Sequence, residues 1–216
     1  MLPREMEIRD YVIHMIKETY KSFGFSSMET PCVEHIDNLL SKQGGENEKL
    51  IFKILKRGEK LKLEEAKTEA DLVDGGLRYD LTLPLSRYYS NNANELPSPF
   101  KALQMGNVWR ADRPQRGRFR QFMQCDIDIL GEAGNIAEIE LILATTTLLG
   151  KLDFKNFTIR INDRRMLKAM AAYSGFAEAD YDNVFIILDK MDKIGLEGVA
   201  SELAASGYEK ESIDKY

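Results

Sequence analysis

The sequence predicts an α+β fold in which strands and helices alternate along the chain, with a short helical segment beginning near residue 176. Three observations predict it. Polar and apolar residues alternate over 78–84 and 118–130, as in half-buried strands. Apolar residues over 4–23 and 136–152 recur at helical spacing. The last forty residues are short in period, charged and punctuated by glycine compared with what precedes them.

Taken in order, Ile8, Tyr11, Val12, Met15, Ile16, Tyr20 and Phe23 mark one face of a helix over 4–23, and Gly24 supplies its stop. Residues 25–33 read as extended, and Pro31, which cannot donate a ladder hydrogen bond, points to an edge, a bend or an interface. A short helix is expected over 35–42. Charge is dense from 44 to 76; there 52–55 reads as a strand, 56–60 as a turn, and 61–73 as helical or mobile. Strands are expected at 78–84, 100–110, 118–130 and 154–162, and helices at 136–152, 164–173 and 198–205. The domain boundary is placed at about 176, giving segments 1–175 and 176–216.

A chain of 216 residues with 44% hydrophobic and 30% charged content can bury one core, or one core with an appendage. It has no apolar run of the roughly 18 residues a membrane span needs, and its start lacks the apolar core of a signal peptide, so a cytoplasmic protein without a membrane partner is expected. Cys32 and Cys125 sit in strand-like runs without pairing or metal-ligand spacing, and His14 and His35 stand alone, so no metal site is expected. A net charge of −5 argues against a protein that coats nucleic acid indiscriminately. Any such contact must be local, and Arg110, Arg113, Arg116, Arg118 and Arg120, opposed there only by Asp112, form the one concentrated basic stretch.

On a strand, Arg78, Asp80 and Thr82 would share one face, and Tyr79, Leu81 and Leu83 the other. Taken alone this fits a half-exposed sheet edge. The second alternating segment carries more: Arg118, Arg120, Phe122, Gln124, Asp126 and Asp128 against Phe119, Cys125, Ile127 and Ile129. Phe122 is poorly placed on a solvated face but well placed in a nucleotide pocket, where a ring stacks on a base beside arginines that fork onto phosphate. A basic hairpin that merely touches RNA backbone has the same spacing. No Ser/His or Cys/His pair is evident.

On these residues the chain resembles the class II aminoacyl-tRNA synthetases, specifically the histidyl-tRNA synthetase family, over essentially its whole length. Residues 8–34, with Pro31, are similar to motif 1; Arg110, Asp112, the loop 113–118 and Phe122 are similar to motif 2. The resemblance implies a class II-type, mostly antiparallel sheet flanked by helices, with the beginning of a helical insertion domain over 176–216. It implies that Arg110 holds the ATP α-phosphate and the histidine carboxylate, with Asp112 beside it in the ATP site, that Arg118 reaches the outer phosphates, and that Phe122 stacks on adenine. Histidine would be read by Asp80 and Thr82, in Leu77-Arg78-Tyr79-Asp80-Leu81-Thr82, and by Gln124 and Asp128.

The implied activity is that of a histidine–tRNA ligase. It activates L-histidine with ATP, as substrate and with Mg²⁺, to histidyl-adenylate, then transfers the histidyl group to the acceptor end of tRNA(His), in a homodimer built through motif 1. The chain departs from the family pattern in lacking an opening Gly-Thr-Arg-Asp stretch, a later Arg-Gly-Leu-Asp-Tyr-Tyr segment, motif 3 and the anticodon-binding domain. It is therefore expected to be a catalytic-core fragment, inactive by itself. Two other readings share the fold or the basic loop: the non-catalytic, histidine-sensing regulatory subunit of ATP phosphoribosyltransferase, and a synthetase-like module that binds tRNA without chemistry. The first has no need of an intact ATP half-site; the second has none of the histidine-pocket acids.

Overall fold

The computed structural model describes residues 1–40 and 46–216, Glu46 and Asn47 by backbone alone. It divides into two compact units, Met1–Phe157 and Thr158–Tyr216. In the first, helix α1 (Pro3–Ser22) opens with Pro3, whose missing N–H is no loss in a first turn, and with Glu5, which accepts from the Leu2 N–H at 2.7 Å. Gly24, at φ +83°, follows its end.

Two three-stranded sheets follow. In one, β1 (Ser26–Met28) pairs in parallel with β5 (Phe100–Trp109), which pairs antiparallel with β6 (Gln121–Leu130) in unbroken register from Phe100↔Leu130 to Trp109↔Gln121. In the other, β4 (Val73–Leu77) lies antiparallel between β2 (Val33–His35) and β3 (Lys53–Leu55). Helix α2 (Ile36–Leu39) contributes Leu39 to a small core with Ile51 and Tyr79. The larger core forms where α1 and α4 (Asn135–Lys151) cover one face of β5–β6: Tyr20, Phe25, Leu103, Ala144 and Leu148 pack with Cys125, Ile127 and Ile129. The odd positions of β6 are therefore the apolar side, as the alternation predicts. The mixed, mostly antiparallel architecture with flanking helices agrees with the expected fold class.

Several expected elements differ. Residues 78–81 are not a strand: β4 ends at Leu77, and helix α3 (Thr82–Asn92) begins where Asp80 Oδ1 accepts the Leu83 N–H at 3.2 Å. Residues 154–162 form no strand either. Positive φ at Asp153 (62°) and Asn156 (60°) turn the chain there, and Phe154 and Ile161 are exposed. Between 61 and 72 no α-helix forms: there is a hydrogen-bonded turn at 62–65 and a 3₁₀ turn at Glu69–Asp71. The far end of the helix expected over 35–42 lies outside the described residues.

The second unit holds α5 (Arg164–Ser174), α6 (Tyr181–Leu188), α7 (Met191–Ala205, broken at Gly195) and α8 (Lys210–Lys215). Asp163 caps α5 by accepting the Arg165 N–H at 2.8 Å. The units divide after Phe157 rather than near 176, because Ala171 of α5 is buried with Phe176, Val184, Ile187, Val199 and Leu203. Ala171 joins α5 to that core, so α5 belongs to the helical unit, although Met166, Met170 and Tyr173 on the same helix stay exposed. Among the described residues no helix is long and apolar enough to cross a membrane.

Candidate active site

The even positions of β6 place Phe122, Gln124, Asp126 and Asp128 on the sheet face opposite the α1–α4 core. Their register partners on β5 are Val108, Gly106, Gln104 and Ala102, all buried. Over this floor lies Arg78, only 2% exposed. Its Nη1 donates to Thr30 O at 2.5 Å and to Thr30 Oγ1 at 3.2 Å, and its Nε donates to Asn107 O at 3.0 Å. The guanidinium rests so closely on Gly106 that a Cβ there would lie 2.2 Å from Nη2. Glycine at 106 is what leaves room for a buried cation.

The segment after Arg78 is held on both sides. Arg78 O accepts the Trp109 N–H and Tyr79 O accepts Arg110 Nε, each at 3.0 Å, while buried Gln104 donates to Leu81 O at 3.1 Å. These bonds carry Asp80 to the rim of the polar face and tether Arg110 beside it. The Arg110 guanidinium carbon stands 5.1 Å from the centre of the Phe122 ring, a cation–π distance.

Electrostatics place the acids in one field. Burial, then the charges of Asp128 and Asp80, push the Asp126 carboxyl above its ordinary range, against the pull of Arg110 and a hydrogen bond from Gln124. Burial alone pushes Asp128 up. Two acceptors on this face, Gln124 Oε1 and Asp128 Oδ2, are buried without a hydrogen-bond partner. A buried acceptor left unmade costs about 1–3 kcal/mol, so this face is built to receive donors.

Of the residues singled out in the sequence, Asp80, Arg110, Phe122, Gln124 and Asp128 are therefore gathered on or around one polar face. Thr82 stands exposed at the first residue of α3. Asp112 and Arg118 belong to the loop after β5, where they approach at 3.7 Å with Arg118 well exposed, and Arg120 Nε donates to Asp112 O at 3.2 Å. Two further residues belong to the neighbourhood. Asp126 was legible from its even position; Arg78 was read on the polar side with Asp80 and Thr82, but its burial was not legible, because nothing in the local sequence says that an arginine will be buried on a distant glycine.

A family model described as histidyl-tRNA synthetase matches residues 1–214. The chain belongs to the histidyl-tRNA synthetase family. It is 47% identical over 207 residues to a histidine–tRNA ligase of Leifsonia xyli, covering 94% of this chain and 48% of that protein. To the histidine–tRNA ligase of Phocaeicola vulgatus it is 40% identical over 222 residues, covering 99% and 48% respectively. This member thus spans about half the length of the curated relatives it matches. The crystal structure of the histidyl-tRNA synthetase of Nostoc sp. PCC 7120 superimposes with a TM-score of 0.80 at 29% identity, covering all of this chain and 45% of that one. A Bacillus halodurans structure titled as an ATP phosphoribosyltransferase regulatory subunit/histidyl-tRNA synthetase gives 0.76 at 17% identity, a likeness of fold alone. Within this histidyl-tRNA synthetase family member, the motif 2 resemblance falls on the β5 end, the arginine loop and β6, the elements that carry the polar face.

Proposed function

We propose that this chain supplies the part of a histidine–tRNA ligase that binds L-histidine and ATP, for activation to histidyl-adenylate and transfer to the acceptor end of tRNA(His). The observation that carries the reading is the pair of unpartnered buried acceptors, Gln124 Oε1 and Asp128 Oδ2, on the same face as Arg110 against Phe122. Histidine offers its imidazole, with a ring N–H for a carboxylate, to the former and its own carboxylate to the latter. Asp80, whose Oδ1 is engaged by the Leu83 N–H, keeps Oδ2 for the substrate ammonium, with Thr82 beside it. A site of this kind rejects leucine or phenylalanine because its buried polar groups would stay unpaired.

Arg110 is tethered through Nε, which leaves both Nη groups for anions. In this reading they bridge the ATP α-phosphate and the attacking carboxylate, offsetting the repulsion that in-line attack must overcome. Phe122 stacks on adenine. Exposed Arg118 reaches the outer phosphates and its partner Asp112 lies beside them, while Mg²⁺, arriving with the nucleotide, would offset phosphate charge. No protein nucleophile is needed. The same reading makes residues 176–216, within the helical unit 158–216, the start of the family's helical insertion domain and assembles a cytoplasmic homodimer through motif 1. The dimer is supported by exposed Ile8, Tyr11 and Val33.

Calorimetry with L-histidine and with a non-hydrolysable histidyl-adenylate analogue tests the assignment. Arg110→Lys should weaken the analogue by about 100-fold and histidine far less, because a lysine cannot fork onto two anions. Equal losses for both ligands, or no binding of either to the unaltered chain, would overturn it. A histidine sensor of the regulatory-subunit kind would bind histidine but gain nothing from the adenylate moiety.

A further inference from the structure

We propose that Asp126 is a positioning residue that dictates which end of the Gln124 amide meets the ligand. The inference rests on the histidine-pocket reading and adds to it a residue outside the set assigned above. A glutamine amide carries a donor and an acceptor of nearly the same shape, so a pocket that needs one of them must fix the amide's rotation. Gln124, Asp126 and Asp128 are alternate residues of β6 and share one face. Gln124 Nε2 donates to Asp126 Oδ2 at 3.4 Å, while Gln124 Oε1 is buried with no partner. An ionised carboxylate accepts only. It can engage the NH₂ end and never the oxygen, so Oε1 is left without a partner on the face of β6 that also carries the other orphaned acceptor, Asp128 Oδ2.

The device has a protonation state built into it. A protonated Asp126 carries both a donor and an acceptor and no longer selects one rotation of the amide. The charged groups that face Asp126 are Asp128 on its own strand, Asp80 on the segment after β4 and Arg110 after β5. Together with burial, the two carboxylates favour the protonated form, and Arg110 and the Gln124 amide oppose it. Across the sheet, Gln104 donates to Leu81 O and accepts from Thr30 Oγ1, so it does not compete for the Gln124 amide.

The test is L-histidine affinity by calorimetry across pH 5–8.5 for four proteins: the unaltered chain, Asp126→Asn, Gln124→Met and the double variant. Asn, like a protonated Asp, offers a donor and an acceptor at equal reach. Asp126→Asn should bind histidine about ten-fold more weakly at pH 8, the cost of presenting the wrong amide end to a buried donor. The gap to the unaltered chain should narrow as pH falls, and taking the ratio of the two removes the ligand's own titration. In the Gln124→Met background, which has no amide to orient, the same substitution should cost no more than about two-fold, the residue of its charge effect. Trp109 fluorescence during urea unfolding confirms that each variant folds. If Asp126→Asn costs the same with and without Gln124, or leaves a pH-independent gap, Asp126 acts only through charge or packing and the proposal fails while the histidine pocket stands. If the unaltered chain binds no histidine at all, both fail together.

Discussion

Two segments carry the same alternation of polar and apolar residues, 78–84 and 121–130, yet only the second is a strand. In β6 the pattern lasts ten residues, each opposite a β5 partner, with one side buried under α1 and α4. In the first it lasts a few residues and has no ladder. There the polar residue Arg78 is among the most buried side chains of the chain, and Asp80 starts a helix instead of decorating a sheet. Alternation describes a strand only when a partner and a core enforce it. Where it is short, hydrogen bonds from a buried side chain can produce the same pattern for another reason.

The contrast can be broken most severely at Arg78. Arg78→Met removes the donors to Thr30 and to Asn107 O, and should destabilise the first unit by about 3–5 kcal/mol in urea unfolding followed by the fluorescence of Trp109, the single tryptophan. Gly106→Ala pushes a methyl group into the same guanidinium and should cost about 1–3 kcal/mol, but much less once Arg78 is Met. Additive losses would mean that the two positions are not the coupled pair described here.

The apolar face of β6 offers a gentler test. Burial, with the Asp126 charge adding to it, raises the Cys125 thiol to about 11, so at pH 8 it is almost wholly protonated. It should alkylate with iodoacetamide roughly 100-fold more slowly in the native chain than in urea. Equal rates would put Cys125 on the open side of the sheet.

The smallest expected effect is a gain. The Asp128 carboxyl is held above its ordinary value by burial, so the folded state keeps its proton longer than the unfolded state does. Stability of the ligand-free chain therefore falls as pH rises from the ordinary carboxylate range through that raised value. Asp128→Asn carries no such penalty and should be more stable by about 0.5–1 kcal/mol at pH 7, with the gain vanishing toward pH 4, while histidine binding is lost. A variant less stable at every pH would show that Asp128 is held by partners of its own.

What the sequence revealed follows the same physics. Helix α1, strands β5 and β6, and helix α4 were legible because long periodic patterns report a continuous buried face, and Phe122, Gln124 and Asp128 were legible because they share the face that pattern leaves polar. The strand expected over 154–162 was not formed, because Asp153 and Asn156 turn the chain and, among the described residues, no strand pairs with it to cover its apolar residues. Helix α3 was hidden behind the alternation of 78–84, where Asp80 Oδ1 accepts the Leu83 N–H in its first turn. The place of α5 depended on a partner core that only the fold assembles. The Arg78–Gly106 contact joins residues remote in sequence, each unremarkable alone.

The central claim is that the β6 face and Arg110 form a histidine-activating half-site rather than a basic hairpin for RNA. Its most direct test is histidine-dependent ATP–pyrophosphate exchange in a synthetase of its relatives' full length that contains this chain. Arg110→Lys should lower kcat by about 100-fold or more with a smaller change in KM for histidine, because the bridging contact strengthens as charge develops in the transition state. Arg116→Lys, on the exposed loop, should stay within about three-fold. Equal effects of the two substitutions, or an Arg110→Lys variant altered only in tRNA affinity, would contradict the account.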